Sequence, residues 1–195
     1  MVIEMTQAAV EDERRHTEIC DTLAAEFGWK GPASESTPEP PPLGPSDLSQ
    51  RDRVLFEMMA FCGFTETLNA AMLTQILKTV KVPKIRDAVH AIAHDEVAHS
   101  RAGWAHLHDQ CTQGRGAFLA ELLPHMMETA RVTEIFGRDP SRDGPRMAAF
   151  GELDDARRTE IFRGVVRDVF FPGLEGLGIS TDPGRRWLEQ RQIQL

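Results

Sequence analysis

The chain has 195 residues, a length that suits one domain with a sizeable core. Hydrophobic residues make up 41% at a mean hydropathy of −0.33, and no apolar run approaches the roughly 20 residues that would cross a membrane. A formal charge of −8 with no basic stripe excludes a generic binder of nucleic-acid backbone. Three cysteines without regular spacing fit a reducing compartment better than a disulfide framework. The N-terminus carries acids early and lacks a basic n-region, unlike a signal peptide, so a cytoplasmic location is expected.

Residues 1–27 read as a helix. Val2, Ala9, Glu13, His16, Cys20, Leu23 and Phe27 recur at 3–4 spacing on one face, and Gly28 fits the end. Residues 28–47 form a linker rich in Pro, Ser, Gly and Glu, the composition of an extended crossover between parallel helices. A ligand-bearing hairpin is expected over 48–112. Its first helix spans about 47–80, with Ser46 or Asp47 as N-cap and Leu55, Met59, Cys62, Glu66, Asn69, Leu73, Leu77 and Val80 inside. Val82-Pro83 breaks it. Pro83 then opens a helix to about 112, with Ile85, Val89, Ile92, Glu96, His99, Gly103 and Leu107 inside. Residues 115–195 read as C-terminal helices: 115–137 with a bend at Pro124, a loop at 138–146, 147–171 stopped by Pro172-Gly173, and a short helix after Asp182. With no competing strand pattern, the class is all-α and residues 1–195 form a single helical domain.

Two copies of one pattern carry the chemistry: Asp12-Glu13-Arg14-Arg15-His16 and Asp95-Glu96-Val97-Ala98-His99. Each contains Glu-x-x-His, which on a helix presents a carboxylate and an imidazole about 60° apart on one face. Two such helices facing each other, with Glu from their neighbours, build a carboxylate-bridged two-metal site in a bundle. Glu66 is singled out by level. It precedes the hairpin turn by about 15 residues and Glu96 follows it by about 14, so both sit roughly 22 Å from the turn. Buried acids on apolar stripes are costly unless paired or metal-bound. The expected ligands are therefore Glu13, His16, Glu66, Glu96 and His99. Glu4 lies about 180° around its helix from Glu13 and is excluded.

The phrases AAVEDERRHTEICDTLA, AFCGFTETLNAAML and AIAHDEVAHSRAGWAHL resemble the ferritin-like di-iron carboxylate superfamily, and within it a group of bacterial ferritin-like-domain proteins. The resemblance covers about 1–110. It implies a ferritin-like bundle with a Pro-rich crossover, two irons per site, two bridging Glu, two terminal Glu and one His per iron. It also implies that Asp12 serves His99 and that Asp95 serves His16 from outside the ligand set. The superfamily's first ligand helix has no counterpart here, which leaves five of six expected ligands. The sixth could come from Glu128, Glu134 or Glu160, from a second copy in a homodimer, or be missing from an incomplete site.

Hard carboxylate and imidazole donors suit Fe, and also admit Mn or Zn. The expected activity is oxidase or oxygenase chemistry with O2 and a small organic substrate. Ferroxidase or iron storage, and a non-catalytic bundle with a degenerate site, are the alternatives. The absence of tyrosine excludes a tyrosyl-radical generator. Cys20 and Cys62 read as small buried hydrophobes near the site. Asn69 reads as a neighbour of Glu66, and Trp104 as packing. His106 lies about 10 Å beyond His99 along the helix, outside the site. His90, His94 and His108 face away from it.

Overall fold

The computed structural model describes residues 2–31, 43–130 and 145–195, and among them every regular element is helical. Helix α1 (Val2–Glu26) ends where Gly28 turns to φ +89°, and the amides of Gly28 and Trp29 close on the carbonyls of Ala25 and Ala24. Glycine adopts this left-handed conformation without Cβ strain, which makes it a common helix stop. Most of the linker lies outside the described residues.

Helix α2 (Gln50–Met58) starts on Ser49 rather than on the expected Ser46 or Asp47. The Ser49 hydroxyl accepts the Asp52 amide at 3.2 Å, which satisfies one of the orphan donors of the first turn. The helix continues as a π-helical segment, π1 (Met59–Thr65), and then as α3 (Glu66–Thr79). Pro83 occupies the first turn of α4 (Pro83–Thr112), where its missing amide is not needed. Contacts pair Thr67 with Ser100 and Leu77 with Arg86, so α3 and α4 form an antiparallel hairpin. Asp12 meets His99, and Glu26 meets Lys84, so α1 also runs antiparallel to α4. It follows that α1 and α3 point the same way.

The remaining helices are α5 (Leu119–Ala130), α6 (Pro145–Ala148), α7 (Asp155–Val165), α8 (Phe171–Gly176) and α9 (Asp182–Gln190). Two expectations change here. The helix expected over 147–171 is broken after Ala148: Gly151 adopts φ +91°, and Asp154 restarts the chain by accepting the Arg157 amide at 2.7 Å. Nor does Pro172 stop it. A second π-helical segment, π2 (Val166–Phe170), widens the turn ahead of Pro172, and α8 carries on to Gly176. A proline inside a helix removes one ladder bond and clashes with the carbonyl four residues back, and a π turn relieves both. The helix expected over 115–137 begins at Leu119 and runs unbroken through Pro124; residues 131–144 lie outside the described residues, and with them all of the expected loop 138–146 but its last two residues, which open α6.

The apolar core lies between α2–π1–α3 and the C-terminal helices. Phe64 stacks on Phe170 at 4.2 Å between centroids and meets Phe162 edge-on at 6.1 Å. Trp104 reaches the same core, packing against Phe170 and onto Gly173, which agrees with its reading as a packing residue. Helix α1 adds nothing to this cluster: its one buried residue is His16, Ile3 and Val10 are exposed, and so is Phe27 just beyond its end.

Because the apolar core and α1 are separate, Phe170→Ala is expected to cost about 3–5 kcal/mol, the range for emptying a buried aromatic site. Val10→Ala, on the exposed face of α1, should fall within about 0.5 kcal/mol of the parent. Chemical denaturation of the two variants, read by circular dichroism, measures both.

Candidate metal centre

Helices α1 and α4 face each other through their two matching pentapeptides. Donor atoms of Glu13, Glu66, Glu96 and His99 all lie within 4.8 Å of one another. His16 stands beside them, its Nδ1 3.6 Å from Glu13 Oε1 and 3.8 Å from Glu96 Oε1. The five residues expected from the sequence therefore meet at one place. Glu96, His16 and His99 are buried, at 5%, 6% and 3% exposure, whereas the Glu13 side chain is half exposed.

The imidazoles are held from behind. His16 Nε2 lies 3.0 Å from Asp95 Oδ2, and His99 Nε2 lies 3.2 Å from Asp12 Oδ2. Each aspartate thus contacts the histidine of the opposite helix, the pairing that the resemblance implied. A carboxylate only accepts, so Nε2 carries the hydrogen and donates it. In the neutral ring Nδ1 then presents a lone pair, and in both rings Nδ1 faces the glutamates. His99 Nδ1 is 3.2 Å from Glu13 Oε1 and 3.4 Å from Glu96 Oε2. A neutral ring would set that lone pair against carboxylate oxygen, and a cation between them would relieve the repulsion. Glu96 Oε2 is buried without a hydrogen-bond partner. Such an orphaned acceptor is costly, and a cation among these donors would satisfy it. The donor set fits a metal, and its hard oxygen and imidazole nitrogen atoms admit Fe, Mn or Zn.

Electrostatics agree with the geometry. Burial pushes the Glu96 carboxyl up to about 9; its hydrogen bond with Glu66 and the charges of Glu66, Glu13 and Asp95 add to the effect. Burial alone would also raise Asp95, but hydrogen bonds with His16, His94 and Arg15 hold it well below the usual carboxylate range. Arg15 is a residue that the sequence reading passed over. Its Nη2 donates to Asp12 at 2.8 Å and to Asp95 at 2.6 Å, tying together the two carboxylates that orient the histidines. The second pentapeptide has Ala98 at the equivalent position, so the repeat itself gave no signal for a paired role.

The other residues sort as follows. Asn69 donates to Glu66 Oε2 at 3.2 Å. Cys62 is half buried beside the site, and burial, followed by the charges of Glu66, Glu13 and Glu96, pushes its thiol up to about 11. Cys20 was expected on a buried stripe but is exposed, because no described element covers that side of α1. His90, His94 and His108 are exposed, and His106 lines a separate hollow with Gln50, Arg51, Val54 and Gln110. Glu128 pairs with Arg191 at 2.8 Å and Glu160 pairs with Arg157, so neither joins the group. Glu134 lies outside the described residues.

One side of the centre opens into a cleft of about 580 Å3 between α1 and π1. Glu13, Glu66 and His99 border it, with Ala9, Val10, Phe61 and Cys62 as apolar walls. Thr6 and Thr17 also line it, but their hydroxyls donate to the carbonyls of Val2 and Glu13. Arg14, paired with Glu11, completes the lining. No protein-family model, curated protein or solved structure matches this chain.

The raised Glu96 carboxyl has a sign for stability. Without metal, the folded state holds a proton that the unfolded chain releases near the ordinary carboxyl value of 4.5. The Glu96 contribution is thus complete below 4.5 and is lost as pH rises towards about 9. Melting of chelator-treated protein at pH 5 and pH 8 should show the lower midpoint at pH 8. A metal replaces that proton, so metal-loaded protein should gain most over the apo form at the higher pH.

Proposed function

We propose that this chain is a ferritin-like, non-haem di-iron protein that reacts with O2 and oxidises a small organic substrate. The reading rests above all on one observation: the two histidines, each held by the aspartate of the opposite helix, turn Nδ1 towards a shared, buried glutamate. Iron in this donor set would supply the redox reaction with O2, which no side chain performs alone.

The chain's own residues have the other tasks. Glu13, His16, Glu66, Glu96 and His99 hold the metals. Asp12 and Asp95 fix the histidine tautomers and ring orientations, as carboxylates behind metal-bound histidines commonly do. The cleft beside Glu13, Glu66 and His99 gives O2 and substrate a route to the centre. Its apolar walls limit the water that accompanies them. This chain has no tyrosine, so the reading does not extend to storage of a tyrosyl radical.

Elemental analysis with anomalous diffraction at the Fe edge tests the reading. Two metal ions per chain, both within coordination distance of the five residues, are expected. Glu96→Ala should lose metal, since it removes the most buried carboxylate of the group, and His106→Ala should keep it. Protein that retains no iron after reconstitution with Fe2+, or equal loss in the two variants, would sink the assignment. Oxygen-electrode traces after Fe2+ addition should show uptake by the parent and little by Glu96→Ala.

A further inference from the structure

Glu66 belongs to a different part of the bundle from the other candidate ligands. Glu13 and His16 sit on α1, Glu96 and His99 on α4, and direct side-chain contacts between opposing residues join those two helices. Glu66 comes from the first residue of α3, just after π1. Its distance from Glu96 and His99 therefore depends on how closely π1–α3 approaches α4. Two glycines meet where π1 packs on α4. Gly103 lies four residues after His99 on α4, and Gly63 lies three residues before Glu66 in π1.

The two glycines are not equivalent. A Cβ on Gly103 would meet backbone: the Gly63 nitrogen, the Cys62 carbonyl carbon at 2.8 Å and the Gly63 Cα at 2.9 Å. Ordinary van der Waals contact begins at 3.4 Å, so the helices would have to part by more than half an ångström. A Cβ on Gly63 would instead meet Met59 Cε and Sδ, the far end of a flexible side chain. Gly164, on α7, has nothing within 4 Å of the same position.

We infer that the Gly103 backbone contact with π1 sets the reach of Glu66 into the metal centre, making Gly103 a positioning residue for that ligand. Metal–ligand distances tolerate errors of only about 0.2 Å. A forced separation larger than that withdraws Glu66 from a shared site and leaves the α1–α4 donors together. The π1 segment belongs to the same device. Its extra residue per turn places Glu66 on the α4 side while Gly63 keeps the backbone exposed for contact, and π turns of this kind are frequent at functional sites. This inference rests on the metal reading above, and the test separates the two.

Purified, metal-free parent, Gly103→Ala, Gly63→Ala and Gly164→Ala are titrated with Co2+ and followed by visible absorption, with thermal melting in parallel. The parent and Gly164→Ala are expected to take up two equivalents. Gly103→Ala should melt cooperatively but lose one equivalent, or bind it at least tenfold more weakly, with a changed absorption band. Gly63→Ala is expected to keep both equivalents, even with a lowered melting midpoint. Parent-like uptake by Gly103→Ala would overturn the inference. So would matching losses in Gly103→Ala and Gly63→Ala, or a Gly103→Ala protein without a cooperative melt, since the cost would then fall on the fold. A parent that binds no Co2+ overturns the metal reading, and the inference with it.

Discussion

The arrangement turns on an electrostatic demand at the α1–α4 interface. Three carboxylates and the Nδ1 atoms of two imidazoles converge there, and Glu96 is the most deeply placed acid among them. A protein can relieve such a cluster by protonation, by an arginine or lysine partner, or by a metal ion. Protonation is the recourse of the metal-free chain, and the raised Glu96 carboxyl expresses it. Of the two arginines beside Glu13, Arg15 is committed to the outer aspartates and Arg14 pairs with Glu11. The position of Arg15 helps to hold the two aspartates that orient the imidazoles.

The same demand bears on how α1 is attached. The apolar core joins α2, π1 and α3 to the C-terminal helices, and α1 takes no part in it. Polar contacts tie α1 to α4: the two His–Asp contacts, Arg15 across both aspartates, and the Lys84–Glu26 pair at 2.7 Å, beside the half-buried Ile19 and Leu23. Exposed ion pairs contribute little. Regions with few buried apolar contacts sit at the low end of local stability. A metal shared between α1, α3 and α4 would therefore be structural as well as chemical, since it would bind a helix outside the apolar core to helices that belong to it. Placing the site at the edge of the core also leaves it open towards the cleft, where a reactant can reach it.

Irregular backbone appears at two places where straight helix would fail. At π2 the cause is local, because Pro172 has no amide to give. At π1 the cause is tertiary. No proline lies in Met59–Thr65, and the segment packs tightly on α4 through Gly63 and Gly103. The Thr65 hydroxyl, bonded to the Ala60 carbonyl at 2.8 Å, satisfies one acceptor within the widened turn. Beside it, Thr67 and Ser100 pair at 2.7 Å across the hairpin. These contacts keep Glu66 level with Glu96, so the fold places the ligand through backbone proximity.

The all-helical class, the limits of α1 and α4, and the set Glu13, His16, Glu66, Glu96 and His99 were legible in the residues themselves. Helical periodicity places Glu-x-x-His on one face, and equal distance from one turn makes Glu66 and Glu96 level; both are local geometry. The C-terminal half was less legible. Gly151 and Asp154 break a helix that its apolar spacing would have continued, and Pro172 is tolerated where it normally ends one. Pattern alone does not tell a proline stop from a π turn, since the difference lies in what packs around it. The sequence also could not assign Arg15 its two aspartates, one of which is 80 residues away. Nor could it reveal that Gly103 touches backbone while Gly63 faces a methionine. Which donors share a helix face was decided by the sequence itself, because that depends on neighbours three and four residues apart. Only the tertiary structure decided how near those faces come and which side stays open, because that depends on atoms distant along the chain.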